Sequence, residues 1–273
     1  MDLLKTPPSG PVGEGWFDQI AALLLGGVEL VAGGEAHTLV EIEFYYSGGT
    51  HPDPFAHCDP VQQRDNTWYF HRDEGSYRGG SFKGLDVTFG EGAFGGILIR
   101  TIRASDGKVT NGCSLCVDRL LSCTGHSSVA ELDAEIADRS IWDTTSPVHL
   151  RPADAPPENT WKTARVGLTL KRAHKHREMK RYIMRPYRYL TDARAVKKGR
   201  LHHVIGLHKA GRTPAEIRAL TGSPNKSIQG YIDAYTEGQA IDSLNRWYGK
   251  SLKSRDLCLL HGAFNALYET QSA

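Results

Sequence analysis

Apolar and polar residues change period several times along this chain, and the changes mark out its elements. Phe17, Ile20, Ala21, Leu24 and Leu25 recur at helical spacing until Gly26-Gly27 interrupts them, which predicts a helix. VELVAGG then reads as a strand running into a turn. TLVEIEFYY alternates strictly, with Val40, Ile42, Phe44 and Tyr46 on one face and Glu41, Glu43 and Tyr45 on the other. Further strands are predicted in NTWYFHR, GSFKGLDVTFG and GGILIRTIR, between stretches rich in Gly, Asp, His and Pro. AELDAEIADRSIW has helical spacing, HLRPADAPPENT reads as a surface loop, and TARVGLTLKR as a returning strand. From about Thr191 the pattern is helical. The sequence therefore predicts an α+β fold in three parts: a flexible Pro- and Gly-rich tail over 1–16, a strand-bearing domain over 17–190, and a small helical unit over 191–273.

Within that last unit, GRLHHVIGLHKAGRTPAEIRALTGSPNKSIQGYIDAY has the form of a helix-turn-helix. Val204, Ile205 and Leu207 line a first helix, Thr213-Pro214 opens a second carrying Ile217 and Leu220, and Gly222-Ser223 makes the turn. A third helix would point Ile228, Tyr231 and Ile232 inward and Asn225, Lys226 and Gln229 outward, where they can meet DNA. The same spacing also fits a three-helix packing unit with no ligand.

Charge sharpens the picture. The whole chain of 273 residues has a formal charge of only +2, yet fourteen lysines and arginines lie between Lys171 and Arg212 against two acids, Glu178 and Asp192. The remainder is acidic. A local basic block containing Lys171, Arg172, Lys175, Arg177, Lys180 and Arg181, interleaved with Tyr182, Tyr187 and Tyr189, suits a phosphate backbone. No apolar run approaches the roughly 20 residues of a membrane span, so a soluble cytoplasmic protein without a membrane partner is expected. The five cysteines, Cys58, Cys113, Cys116, Cys123 and Cys258, are irregularly spaced and read as free thiols. Cys113-x-x-Cys116 with Cys123 lacks a second ligand pair at zinc spacing. Nor do His51, Asp53, His57, Cys58 and Asp59 define a geometry, so neither a metal nor a cofactor is expected.

The polar face of TLVEIEFYY is the candidate site, with His57 following in HPDPFAHCDP and Arg100 ending GGILIR. AALLLGGVELVAGGEAHTLVEIEFYYSG resembles the opening of the alkyladenine (3-methyladenine) DNA glycosylase family, whose Glu-Ala-Tyr motif reads Glu43-Phe44-Tyr45 here. The resemblance continues through Ala56-His57, a hairpin from Gly75-Ser76 to Lys83-Gly84, and Leu98-Ile99-Arg100-Thr101. It extends to Asn111-Gly112 before Leu115 and Leu120, to Arg165-Val166-Gly167, and to the run from Arg185 to Tyr189, covering about residues 17 to 190.

That resemblance implies a curved, mainly antiparallel sheet with flanking helices. It also implies a monomeric, monofunctional DNA N-glycosylase, which flips a modified base out of double-stranded DNA and leaves an abasic site. Glu43 would activate water against the glycosidic bond and Arg100 would hold the water and the carboxylate. Tyr45 would stack on the extruded base and His57 would bond its edge or the sugar-phosphate. Aligned without gaps, the hairpin puts Gly80, within Tyr77-Arg78-Gly79-Gly80-Ser81, where the family has a second stacking ring. Gly79 and Gly80 would then widen the pocket for a bulky hypermodified base, such as glucosylated hydroxymethylcytosine in phage DNA, excised in antiviral defence. Lys83 takes the place of the family's wedge tyrosine, so Phe82 or Leu85 would fill the gap in the duplex while Lys83 and Arg78 contact the backbone. Repair of alkylated purines, a non-enzymatic reader of modified DNA and a hydrolase of free nucleosides are the alternative functions.

Overall fold

The computed structural model describes residues 2–5, 12–153 and 159–269. Two compact units divide it. One comprises Met1–Pro52, Ala56–Thr160 and Tyr189–Thr191; the other comprises Asp53–Phe55, Trp161–Arg188 and Asp192–Ala273. The segment from 161 to 188, expected from its sequence to lie with the strands, thus belongs with the C-terminal helices.

The first unit is an α+β fold built on a curved antiparallel sheet. Helix α1 (Glu14–Gly26) leads into strands β1 (Val28–Ala32) and β2 (Glu35–Gly48), and a short β3 (His51–Pro52) turns back on β2. Strands β4 (Trp68–Phe70), β5 (Arg72–Asp73), β6 (Ser76–Tyr77), β7 (Leu85–Thr88), β8 (Phe94–Ala104) and β9 (Val109–Asn111) follow. Helices α2 (Cys113–Thr124) and α3 (Val129–Ile136) then precede β10 (Val148–Pro152). The order across the sheet is β10-β1-β2-β8-β7-β4, with β9 added to β8, while β5 and β6 form a separate ribbon.

The alternation read in β2 holds. Val40, Ile42, Phe44 and Tyr46 are all buried, and α1 covers them, with the Phe17 and Phe44 rings stacked at 4.9 Å between centroids. The opposite face of β2 is buried too, which strict alternation does not predict: Glu41 and Glu43 are withdrawn from solvent as completely as the core.

Three local expectations are corrected. HLRPADAPPENT begins as a strand, because residues 148–152 pair along β1 from Ala32 to Val28 and their backbone groups are satisfied there; residues 154–158 lie outside the described ones. TARVGLTLKR is not a returning strand, since β11 (Trp161–Thr163) ends at its start. The tail is held at its beginning. Leu4 is buried, Leu3 O accepts from the Trp16 indole at 2.8 Å, and Gly90 N–H donates to Leu4 O at 2.7 Å. Residues 6–11 lie outside the described ones.

The short β12 (Arg188–Leu190) falls, but for Arg188, in the first unit. In the second unit α4 (Met179–Tyr182) comes before α5 (Arg200–Lys209), α6 (Pro214–Thr221) and α7 (Asn225–Gly238), the three helices read from the sequence. Val204, Leu207, Ile217, Ile228 and Ile232 share one core cluster, against which Leu220 and Tyr231 pack. Thr213 and Glu216 close a capping box at the start of α6. Its end turns through Gly222 at φ 66°, a left-handed conformation that glycine adopts without steric cost. Helix α8 (Ser254–Phe264) packs against α7, where Gly238 and Gly262 permit the close approach.

Candidate active site

The polar face of β2 meets the same face of β8, and one irregularity in their pairing builds the site. Glu41 opposes Thr101 and Ile42 opposes Ile99, so the register passes over Arg100. A bulge of this kind re-aims a side chain. Arg100 lies between the two acids, Nε donating to Glu41 Oε1 at 3.0 Å and Nη1 to Glu43 Oε2 at 3.2 Å. The Thr101 hydroxyl donates to Glu41 Oε2 at 2.5 Å, and the Tyr45 hydroxyl to Glu43 Oε2 at 2.8 Å. Burial by itself disfavours charge on Arg100, but the opposing field of Glu43, then Cys113, then Glu41, outweighs it and raises the guanidinium pKa. The group stays cationic.

Helix α2 begins beside this cluster. Gly112 N–H donates to Arg100 O at 2.7 Å, and the Cys113 thiol is 3.5 Å from Arg100 Nη1, its own pKa pushed up by burial. Glu43 has 0% exposure and Arg100 6%, whereas Tyr45 is partly exposed. Tyr45 is the member of this group that reaches the surface.

Along the same sheet face, Glu43 pairs with Leu98 and Leu98 with Asp86, while Tyr45 pairs with Gly96 and Gly96 with Thr88. Asp86 was not foreseen from the sequence. It is buried, accepts from His71 Nε2 at 2.7 Å and from Gln62 Nε2 at 3.3 Å, and stands opposite Tyr69 of β4. His57, expected at the site, joins this second cluster: its ring packs edge-on against His71 at 4.3 Å, and its Nδ1 is 3.4 Å from the Tyr69 hydroxyl. Burial, then the field of His71, lowers its pKa to about 4. The alternation Tyr69-Phe70-His71 across from Leu85-Asp86 was the available signal, masked by the fourteen-residue excursion between the strands.

That excursion corrects the hairpin. The paired strands are β4 and β7, and Gly79 and Gly80 lie in the loop between them, both exposed, with nothing within 4 Å of an added Cβ. Gly80, at φ 55°, opens a short turn to Phe82. Gly80, which the ungapped alignment set in the base pocket, thus lies in an exposed loop. Leu85 cannot enter a duplex, because it is 1% exposed within β7. Phe82 is 74% exposed and Leu115, on the adjoining helix, 56%; the Ser114 hydroxyl donates to Gly80 O at 2.6 Å and ties that helix to the Phe82 turn. Lys83 is bound to Asp118 at 2.8 Å rather than extended toward solvent, and Arg78 is half-buried.

The cysteines do not gather as a ligand set. Among the described residues the metal-competent group is Glu35, His37 and Cys123, and Arg119 already bonds both Glu35 and His37 Nε2, filling the place a cation would take.

In the second unit Lys171, Arg172, Lys175, Arg177 and Arg181 are exposed and Lys180 partly so. Tyr182 and Tyr187 are core residues, as is Tyr189 in the first unit, so none is a stacking platform. Arg188 is withdrawn as well, donating to Lys198 O at 2.8 Å. Lys226 and Gln229 project from the exposed side of α7, and a concavity beside them is lined by Arg194, Arg218 and Asn225.

No family model matches the chain. An uncharacterized protein, L759, of Acanthamoeba polyphaga mimivirus is 35% identical over 148 residues, 48% of this chain and 68% of the viral one. The chain belongs to the family of that viral protein. Among the described residues no helix is long and apolar enough to cross a membrane.

Proposed function

We propose that this protein is a DNA glycosylase that everts a modified base and hydrolyses its N-glycosidic bond, with Glu43 as the group that activates water. The observation that carries this reading is the Arg100 guanidinium shared by Glu41 and Glu43 inside the sheet, with the Tyr45 hydroxyl on the same Glu43 oxygen. Cleavage of such a bond develops positive charge at the sugar, and a fixed carboxylate both stabilises that charge and takes a proton from water. Arg100 fixes the carboxylate, and Tyr45 supplies a ring at the entrance.

The exposed basic side chains of the second unit and the outward face of α7 support duplex DNA as the partner. Eversion needs something to occupy the vacated space, and Phe82 is the exposed apolar side chain that meets this need. The open loop at Gly79 and Gly80 is compatible with a bulky hypermodified base, and excision of small alkylated purines is the alternative within the same chemistry. A non-enzymatic reader of modified DNA is favoured by one feature, the complete burial of Glu43.

Mass spectrometry of bases released from alkylated, deaminated and phage-modified DNA separates these readings. The glycosylase releases free base, and Glu43→Gln binds the same DNA without release. Tight binding by the wild type with no base released from any DNA identifies the reader.

A further inference from the structure

Helix α7 has two faces of different character. Ile228, Ile232 and Tyr235 are buried, whereas Lys226, Gln229, Gly230 and Asp233, which follow one another along a single stripe of the helix, are exposed. Gly230 is the unusual member. Nothing lies within 4 Å of a Cβ added there, so no packing inside the chain calls for glycine, although glycine weakens an exposed mid-helix position. A bare stretch of helix backbone is what close approach to another molecule requires.

Charge at the start of this helix says what that molecule carries. Elsewhere in the same unit arginines are paired with acids, Arg212 with Glu216 on α6 and Arg255 with Glu237 toward the end of α7. Among the described residues Arg194, Arg218 and Lys226 have no carboxylate partner. Arg194 and Arg218 line the concavity with Asn225, and the Arg194 side chain lies along the α6–α7 turn, where a Cβ on Gly222 would meet its Nε at 3.7 Å. Asp192 Oδ1 accepts from the backbone N–H groups of Arg194 and Ala195, and Pro224 offers the first turn of α7 no side-chain acceptor. Donors thus converge on the concavity without an acceptor, which is complementary to a phosphodiester and not to an apolar or cationic surface.

We propose that α7 enters the major groove of duplex DNA as a sequence reader, with Arg194 and Arg218 holding a phosphodiester at its entry, so that this protein selects sites by sequence as well as by base chemistry. The proposal takes duplex DNA as partner from the reading above and is independent of base release. A major groove about 12 Å wide admits one helix, and a helix side free of bulk approaches its floor most closely. Gly230 supplies that side. Lys226, one turn earlier, carries donors for guanine O6 and N7. Gln229 Nε2 donates to Asp233 Oδ1 at 2.8 Å, which fixes the amide and leaves Oε1 to accept from an amino group of adenine or cytosine. Asp233, the acid of the stripe, is about 12 Å along the helix from Asn225 and so away from the phosphate.

Binding selection by the full chain on a random-sequence library of unmodified duplexes, followed by sequencing, tests this without calling on catalysis. An enriched sequence bound about tenfold or more tighter than its scramble is expected. Lys226→Ala with Gln229→Ala should bring that ratio to within about threefold, mostly by weakening the enriched duplex. Arg194→Ala with Arg218→Ala should weaken both duplexes alike and lower the salt slope by about 1 to 2. Gly230→Leu, which favours the helix, should melt no lower than the wild type yet bind the enriched duplex at least about tenfold more weakly. Duplex binding with no sequence enriched, a ratio that survives the Lys226 and Gln229 replacements, unchanged affinity in Gly230→Leu, or preference for RNA over duplex DNA overturns the major-groove role. Base release from modified DNA, measured on the same preparations, reports on the glycosylase reading separately: sequence preference without release upholds this inference and sinks that one.

Discussion

Arg100 Nη1 lies 3.2 Å from Glu43 Oε2 at a position where the β2–β8 register skips the arginine, and Nε of the same side chain reaches Glu41. A guanidinium buried to 6% exposure between two acids is structurally costly to remove. Arg100→Met should destabilise the first unit by about 3–5 kcal/mol, because two carboxylates would be left without their shared partner. Urea titration of the full chain reads this directly; a change below about 1 kcal/mol would mean that the acids find other partners.

Glu43→Gln preserves shape and most hydrogen bonding while removing the proton acceptor. We expect the variant to melt near the wild type and bind modified duplex comparably, with base release reduced by about 10²–10⁴. Retention of full activity would exclude Glu43 from the chemistry.

Gly96→Ala should separate the two halves of the polar face from the outside. Its methyl would meet both Asp86 and Gln62 well inside van der Waals distance, so one of them must shift, at about 1–3 kcal/mol. A lowered thermal midpoint and disappearance of the His71–Asp86 imidazole signal by NMR are expected. An unchanged imidazole spectrum would count against the tight packing there.

Acid should weaken the second unit through a histidine pair. His202 Nδ1 and His261 Nε2 are 2.7 Å apart, and burial, with the field of Lys209, lowers the His261 pKa to about 3. Between its ordinary value of 6.5 and that lowered value the unfolded chain binds a proton that the folded one refuses. Stability is therefore full above about pH 6.5 and falls as the pH drops below it, by up to about 1.4 kcal/mol per pH unit. Denaturant midpoints at pH 7.5 and 5.0 check the sign, and His261→Asn should flatten the dependence.

Exposed basic residues of the second unit should neutralise phosphates without base preference. Replacing Lys171, Arg172 and Lys175 by alanine should weaken binding equally for modified and unmodified DNA and reduce the salt slope by about 1 for each phosphate no longer neutralised. Binding isotherms at several salt concentrations measure both. Weakening restricted to modified DNA would assign these residues to recognition instead.

Several features were readable from residue order alone because they rest on short-range periodicity. Helix α1, the two-faced strand β2 and the three helices ending at Gly238 all follow from spacings of a few residues and from glycines at their ends. The pairing of Glu43 with Arg100 was foreseen as a shared face. What residue order did not reveal depends on contacts between distant segments. A bulge skips Arg100, so it bridges two acids, and the fourteen-residue excursion between β4 and β7 leaves Gly80 in an exposed loop and brings Asp86 opposite Tyr69. Alternation tells which side of a strand a residue takes; only pairing tells which residues of other strands share that side, because register is set by hydrogen bonds and packing across the whole sheet.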